Sequence, residues 1–149
     1  MITMKKLLLL GFLFLSISIS AQKTPQEIIN NFFSSYEKDA GKAVKEMYKT
    51  NIWTERIKDD IENIAIKLNG LTLDYVGKYY GYELITNKKF SESFELYSYL
   101  IKYDRQPIRF TFKFYKPNDK WMLYSFKFDD SFTEEIEESA KLYYLDLNK

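Results

Sequence analysis

The sequence has no cysteine and no histidine. Without them the chain lacks thiolate and imidazole nucleophiles, imidazole bases and the soft ligands that zinc prefers. It also lacks the cysteine that a bacterial lipoprotein needs at its processing site. Carboxylates remain, in the pairs Asp59-Asp60 and Asp129-Asp130, but adjacent carboxylates on a helix point in different directions. A solvated face or a helix cap explains both pairs, so we predict no metal site.

An excess of charge of either sign is missing as well. The 22 Lys and Arg residues nearly balance the 21 Asp and Glu residues. This balance gives no electrostatic case for a nucleic-acid partner or an anionic membrane surface. The sequence also has no Gly-rich phosphate loop, zinc-ligand spacing, EF-hand loop or G-x-S-x-G elbow. We therefore predict no cofactor, and no motif identifies a catalytic residue.

Aromatic residues are abundant instead. The 149 residues include 13 Tyr, 12 Phe and 2 Trp, and 46% of the chain is hydrophobic. This length and composition are typical of one globular domain. Tyrosine is amphipathic and suits cores, pocket walls and interfaces alike.

The N-terminal residues have the pattern of a secretory signal. Lys5 and Lys6 precede an apolar run from Leu7 to Ile19, and Ala21 is a small residue before the expected cleavage point. We predict that residues 1–21 are a signal peptide and that residues 22–149 form a single domain. The mature chain is expected to be periplasmic or secreted, with no stable membrane anchor. The alternative is a retained N-terminal anchor, which the shortness of the run disfavours.

Start and stop signals predict four helices. Thr24 is placed to cap a first helix and Asp39 a second. A third helix is predicted over about 53–69, with Gly70 as its left-handed terminator. Ser131 is placed to cap a final helix.

Beyond the third helix, the apolar residues alternate, which predicts strands. The first strand, 71–86, contains Gly77 and Gly81, and glycines inside a strand mark a bulge or a bend. We therefore expect this strand to curl. A turn at 87–89 is predicted to lead into a second strand over 90–103.

The stretch 110–129 is predicted to form an aromatic hairpin with its turn at 116–120. Alternation places the following apolar residues on one buried face: Phe110, Phe112, Phe114, Met122, Tyr124, Phe126 and Phe128. The predicted class is α+β, with N-terminal helices packed on a strongly curved four-stranded antiparallel sheet and a C-terminal helix. The predicted core joins Ile28, Phe32, Ile61, Ile64, Phe112, Phe126 and Phe128.

This order of elements, the Gly-containing strand and the segment 120–123 (Lys-Trp-Met-Leu) resemble the NTF2-like superfamily, also described as cystatin-like or cone-shaped. The resemblance covers 24–141 and is greatest to small exported bacterial members of unassigned function. It implies a bent sheet that wraps against helices around a cone-shaped pocket. Members use that pocket for catalysis, for ligand capture or for partner binding.

We predict a concave site between the curled sheet and the first and third helices. A bent sheet cannot lie flat against straight helices, so a gap is expected on its concave side. The residues predicted to line it are Tyr36, Trp53, Tyr75, Tyr79, Tyr97, Tyr99 and Arg109. This set suits a small ligand with an apolar body and a polar tip. The alternative is that large side chains fill the gap completely.

The leading functional prediction is an exported, non-enzymatic binding or accessory module of the bacterial envelope, which takes a small amphipathic ligand or an exported protein partner. One alternative is an isomerase or lyase that uses Asp74 or Asp104 with a neighbouring tyrosine. Another is an inhibitor or immunity-like protein. A homodimer is compatible with all three.

Overall fold

The computed structural model describes residues 23–143. The predicted signal peptide at 1–21 therefore lies outside the described residues. The elements in chain order are α1 (Pro25–Tyr36), α2 (Ala40–Tyr48), a 3₁₀ helix (Ile52–Ile57), α3 (Lys58–Asn69), α4 (Leu73–Val76), β1 (Tyr79–Ser91), β2 (Phe94–Tyr103), β3 (Ile108–Tyr115), β4 (Met122–Asp129) and α5 (Phe132–Tyr143). Within 23–143, none of the helices combines the length and the apolar character needed to cross a bilayer.

The four strands form one antiparallel sheet in the order β1-β2-β3-β4. Helices precede this curved sheet and one helix follows it, which confirms the predicted α+β class. The predicted caps of the first two helices are also confirmed. Thr24 and Glu27 form a reciprocal capping box at α1, and Asp39 Oδ1 accepts a hydrogen bond of 2.8 Å from the Lys42 backbone N–H at α2.

The third predicted helix ends at Asn69, as expected, but its beginning and the conformation of Gly70 differ from the prediction. Its first part, Ile52–Ile57, is a 3₁₀ helix, and the α-helix begins at Lys58. Asn51 caps the 3₁₀ helix, because its side-chain oxygen accepts a hydrogen bond from the Trp53 backbone N–H. Gly70 was expected in the left-handed region, but its φ is −73°. The Gly70 backbone N–H bonds to the carbonyls of Ile66 and Lys67, so the last turn tightens without reversing the chain.

The first predicted strand, 71–86, is wrong at both ends. Its first part forms α4, one helical turn, and the strand begins only at Tyr79. Its far end continues through the predicted turn at 87–89, because Lys88 and Lys89 pair with Leu96 and Glu95 of β2. The turn lies at 92–93 instead, so β2 begins at Phe94 rather than at 90.

The expected irregularity at Gly81 is confirmed. The register of β1 on β2 slips between Tyr79 and Tyr82, and Gly81 has φ +103°. Two further irregularities follow in the same strand. Such bulges bend a strand and increase its twist, which explains the curl of this edge of the sheet. Gly77 also has a positive φ, +86°, but it lies in the connection between α4 and β1.

The core lies between the helices and one face of the sheet. The Phe32 ring is centred 5.4 Å from that of Phe112 and 5.7 Å from that of Phe126. Of the predicted core, Ile28, Phe32, Ile61, Phe112 and Phe126 are buried, whereas Ile64 and Phe128 are partly buried against it.

The alternation predicted for β4 is wrong at its first half. Lys113 pairs with Ser125 but Phe114 pairs with Leu123, so Tyr124 is an extra residue at a bulge. Leu123 is consequently buried, and Tyr124 is 57% exposed. A one-residue bulge reverses the face of every residue before it, which strict alternation cannot reveal.

We expect Phe126→Ala to lower the free energy of unfolding by about 3–5 kcal/mol, because the truncation leaves a cavity among packed rings. Tyr124→Ala, at the exposed bulge position of the same strand, is the matched control and should cost less than about 1 kcal/mol. Urea denaturation measures both values. Equal losses would contradict the assignment of the two faces.

Candidate functional site

A pocket of about 320 Å³ lies where the C-terminal ends of α1 and α3 meet α4 and the first residues of β1. Three tyrosines, Tyr36, Tyr79 and Tyr103, contribute to its wall, and we call it the tyrosine pocket. Leu68, Leu71 and Leu73 supply apolar surface at the same place. The wall also includes Ala40, Asn69, Gly77 and Lys78.

The three phenol rings form one cluster. The hydroxyl oxygens of Tyr36 and Tyr103 are 2.5 Å apart, and either can donate. The Tyr79 ring is centred 5.7 Å from that of Tyr36 and 5.8 Å from that of Tyr103. Tyr36 is the last apolar position of the α1 stripe, and Tyr79 pairs with Tyr103 across β1 and β2. Paired residues of an antiparallel ladder share a face, so both β-strand tyrosines point toward Tyr36.

These phenols are neutral at pH 7, as tyrosines ordinarily are, and burial extends that range to higher pH. Desolvation raises the pKa of Tyr36 and of Tyr103, and it raises the pKa of Tyr79 to about 12. A neutral phenol retains its O–H and can donate a hydrogen bond. Because the bond between Tyr36 and Tyr103 uses only one of the two hydroxyl protons, the second can be donated to a bound molecule.

The short helix α4 is anchored beside the pocket by the connection between β2 and β3. Arg105 Nη1 donates a hydrogen bond of 2.6 Å to the Asp74 carbonyl, and the Arg105 backbone N–H donates one of 3.0 Å to the Val76 carbonyl. The Lys78 backbone N–H donates to the Asp104 carboxylate, which lowers the pKa of that carboxyl. These bonds hold Leu73 at the pocket edge although its side chain is exposed.

Charges on the pocket rim balance one another. Lys38 and Lys78 stand against Glu37 and Asp39, and all four residues are exposed. Asp39 is already engaged as the cap of α2. The Asn69 side-chain oxygen Oδ1 likewise accepts a hydrogen bond of 2.8 Å from the Gly41 backbone N–H. The pocket therefore offers phenol donors and apolar surface, without a net electrostatic preference.

Of the predicted site residues, the structure brings Tyr36 and Tyr79 together at this pocket. Tyr97 and Tyr99 share the helix-facing side of the sheet but are buried away from it. The Tyr97 hydroxyl donates to the buried Glu95 carboxylate at 2.8 Å, and burial raises the pKa of Tyr97 to about 12. The Tyr99 hydroxyl bonds to the Gln26 amide.

The other three predicted residues lie on separate surfaces. Trp53 is 60% exposed on the 3₁₀ helix, with the Arg56 guanidinium 5.5 Å from its ring centre. Tyr75 is 63% exposed on α4 and borders a different groove. Arg109 pairs with Asp129 on β4 and with Glu135 on α5.

Sequence reasoning did not include Tyr103 or Lys78 in the site. The position of Tyr103 follows from its pairing with Tyr79, and that register depends on the irregularity at Gly81. A prediction of β1 from Leu71 gives a different pairing. Lys78 reaches the pocket only because α4 replaces the expected beginning of the strand.

No protein-family model, curated protein or solved structure matches this chain. Among residues 23–143, no three Asp and Glu side chains come close enough together to hold a metal ion.

The phenol cluster predicts a loss of stability at high pH. An unfolded tyrosine ionises near its ordinary pKa of 10.0, whereas folded Tyr79 has a pKa of about 12. The fold is stabilised by the preference of the buried Tyr79 phenol for its neutral form. This stabilisation is fully present below pH 10 and is lost as the pH rises toward about 12. We expect the free energy of unfolding, measured by urea titration, to fall across this interval and to fall less steeply in Tyr79→Phe. The same slope in both proteins would contradict the burial of this phenol.

The connection at α4 gives a second prediction. Gly77 and Gly81 both have positive φ, but an added Cβ would meet another atom within 4 Å only at Gly77, 2.5 Å from Asp104 Cβ. We expect Gly77→Ala to cost about 1–3 kcal/mol of stability and to cost more than the control Gly81→Ala. Thermal and urea denaturation measure both. A larger loss of stability in Gly81→Ala than in Gly77→Ala would show that α4 is not held against the connection between β2 and β3.

Proposed function

We propose that this chain is an exported binding module of the NTF2-like type, and that the tyrosine pocket holds a small uncharged molecule with an apolar body and a hydrogen-bond acceptor. The observation that carries the proposal is the cluster of neutral phenols at a concave surface. The helices-then-curved-sheet order supports the resemblance to that superfamily. The pattern of residues 1–21 supports export.

The chemistry of the wall selects the class of ligand. Phenol hydroxyls that stay protonated donate to carbonyl, ether or hydroxyl oxygens. Leu68, Leu71 and Leu73 offer apolar contact to the rest of the molecule. Because the rim carries two cations and two anions (Lys38, Lys78, Glu37 and Asp39), neither an acid nor an amine gains from long-range attraction.

The size of the pocket restricts the ligand further. A volume of about 320 Å³ lies at the lower end of the range for small-molecule sites, roughly 300–1,000 Å³. It suits a monocyclic compound or a short chain and is too small for a folded partner. A protein partner would need a wider surface than this pocket provides.

Binding accounts for the site better than proton transfer does. A general base needs a carboxylate within hydrogen-bond reach of the substrate proton and a pKa near the working pH. The pocket carboxylates Glu37 and Asp39 are exposed at the rim. Asp104 is engaged by a backbone N–H that lowers its pKa, and Asp74 is exposed on α4. The phenols have raised pKa values and would act as donors rather than bases.

A series of uncharged cyclic ketones, from cyclohexanone to menthone, provides the test. We expect saturable changes in the amide ¹H–¹⁵N chemical shifts of Leu73, Lys78 and Tyr79, with affinity rising as the apolar body grows. Cyclohexanecarboxylate, the charged match, should bind no better than cyclohexanone. Removal of one hydroxyl in Tyr103→Phe should weaken ketone binding by about 2–10-fold, the equivalent of one hydrogen bond.

Tyr124→Phe is the matched control, since it removes one phenol hydroxyl from the opposite side of the sheet. It should leave ketone affinity unchanged. If none of the ketones gives saturable changes in the amide chemical shifts, the proposal is contradicted. Binding that Tyr103→Phe does not weaken, in a variant with wild-type circular dichroism, would contradict the role of the phenols.

A further inference from the structure

A second concave surface lies at the opposite end of the sheet from the tyrosine pocket. Tyr79 pairs with Tyr103 at one end of the ladder, whereas Tyr115 pairs with Met122 at the other end, where β3 turns into β4. A cavity of about 270 Å³ lies there, between this turn and the 3₁₀ helix. We call it the indole groove, because the Trp53 side chain forms part of its wall. It shares no wall residue with the tyrosine pocket.

The walls of the indole groove are largely apolar. Ile52 is 78% exposed and Trp53 is 60% exposed on one side, and Pro117 and Met122 line the side of the β3–β4 turn. The Arg56 guanidinium lies over the Trp53 ring, 5.5 Å from its centre. Because one face of the indole carries this cation, a ligand must approach the opposite face. Adjoining apolar side chains of this size on the surface of a domain are typical of a binding site.

Hydrogen bonds hold the indole in place against β4. The Asn51 side chain accepts a bond of 3.0 Å from the Trp53 backbone N–H and donates one of 2.9 Å to the Leu123 carbonyl. The Leu123 backbone N–H in turn donates to Thr50 Oγ1 at 3.0 Å. The beginning of the 3₁₀ helix is therefore fixed to the sheet, and the exposed indole is positioned before any ligand arrives. A site prepared in this way loses less conformational entropy on binding.

Polar side chains stand beside the apolar walls. Asn118, Asp119 and Lys120 follow Pro117 in the turn, and all three are exposed and line the groove. An amide both donates and accepts hydrogen bonds, a carboxylate accepts them and an ammonium donates them. The groove therefore combines an aromatic surface with a row of donors and acceptors at its edge, and its lining carries one anion beside one cation.

We propose that the indole groove binds a sugar ring of a neutral glycan. A pyranose carries C–H groups on its faces and hydroxyls around its edge. The C–H groups have a partial positive charge and pack on the electron-rich face of the Trp53 indole. The hydroxyls, each of which donates and accepts, bond to Asn118, Asp119 and Lys120. A cavity of about 270 Å³ accommodates one ring, and the rest of the glycan extends beyond the groove.

The same chemistry disfavours other occupants. An acyl chain would take Asn118, Asp119 and Lys120 out of water without replacing their hydrogen bonds, which costs free energy. An acid would meet the Asp119 carboxylate, and an amine would meet the Lys120 ammonium. A folded protein partner needs a much wider surface than this groove provides. A neutral ligand with an apolar face and a hydroxylated edge uses every part of the lining.

Titration of the ¹⁵N-labelled chain with maltotetraose, cellotetraose, laminaritetraose and chitotetraose tests the site. The chain is expressed from its full coding sequence and purified in the form that the cells produce. We expect at least one tetrasaccharide to cause saturable changes in the chemical shifts of the Trp53 indole N–H and of the Asn118, Asp119 and Lys120 amides. Trp53→Ala should weaken this binding at least about tenfold, because it removes the stacking surface. Asn118→Ala should weaken it about 2–10-fold, the equivalent of one hydrogen bond.

Tyr75→Ala is the matched control. Tyr75 is 63% exposed, nearly the same as Trp53 at 60%, but it lies on α4 at the other end of the sheet. This variant should bind the tetrasaccharide like the wild type. Tyr103→Phe, in the tyrosine pocket, should also leave the affinity unchanged, because the two sites share no residue. Circular dichroism should be that of the wild type in both truncations, since both rings are exposed.

Three results would overturn the proposal. The first is the absence of saturable shifts with all four tetrasaccharides. The second is glycan binding that Trp53→Ala does not weaken, or that Tyr75→Ala or Tyr103→Phe weakens equally. The third is Trp53-dependent sedimentation with vesicles of phosphatidylglycerol and phosphatidylethanolamine by a chain that binds no tetrasaccharide, which would assign the groove to a membrane surface.

Discussion

The packing of α1 on the strands β3 and β4 is the interaction on which the rest of the structure depends. Phe32 lies against Phe110, Phe112 and Phe126, and the three partners are buried. Edge-to-face and tilted rings of this kind add specific geometry to the burial of large apolar surfaces. The contact fixes the height and direction of α1 over the sheet, and α2 and α3 then pack beside it on the same layer.

The tyrosine pocket follows from the place where that layer ends. The aromatic stripe of α1 continues from Phe32 to Tyr36, and there the neighbouring rings become phenols. Beside these rings, α4 and the first residues of β1 border the pocket together with the C-terminal ends of α1 and α3. The hydroxyls of Tyr36 and Tyr103 share one hydrogen bond, which uses only part of their capacity to donate and accept. The same packing that makes the core therefore leaves hydrogen-bonding capacity at its open end.

The sequence predicts the fold well where a local signal acts alone. The caps at Thr24 and Asp39, the helical stripe of α1 and the bulge at Gly81 depend on neighbouring residues, and each is found. Predictions failed where a distant contact decides. The 4-residue helix α4 is held by Arg105 and Asp104, and the phase of β4 depends on a bulge at Tyr124 opposite β3.

The candidate site shows the same division. The abundance of tyrosine predicts a tyrosine-lined pocket, but the sequence does not show which tyrosines line it. The register of β1 on β2 places Tyr79 opposite Tyr103 at the pocket, whereas Tyr97 and Tyr99 are buried in the core. Native mass spectrometry of the chain, purified under mild conditions from the cells that produce it, measures the central claim most directly. The account predicts a retained uncharged small molecule at one per chain, absent from Tyr36→Phe/Tyr103→Phe. A bare chain, or an adduct that persists in that double variant, would contradict it.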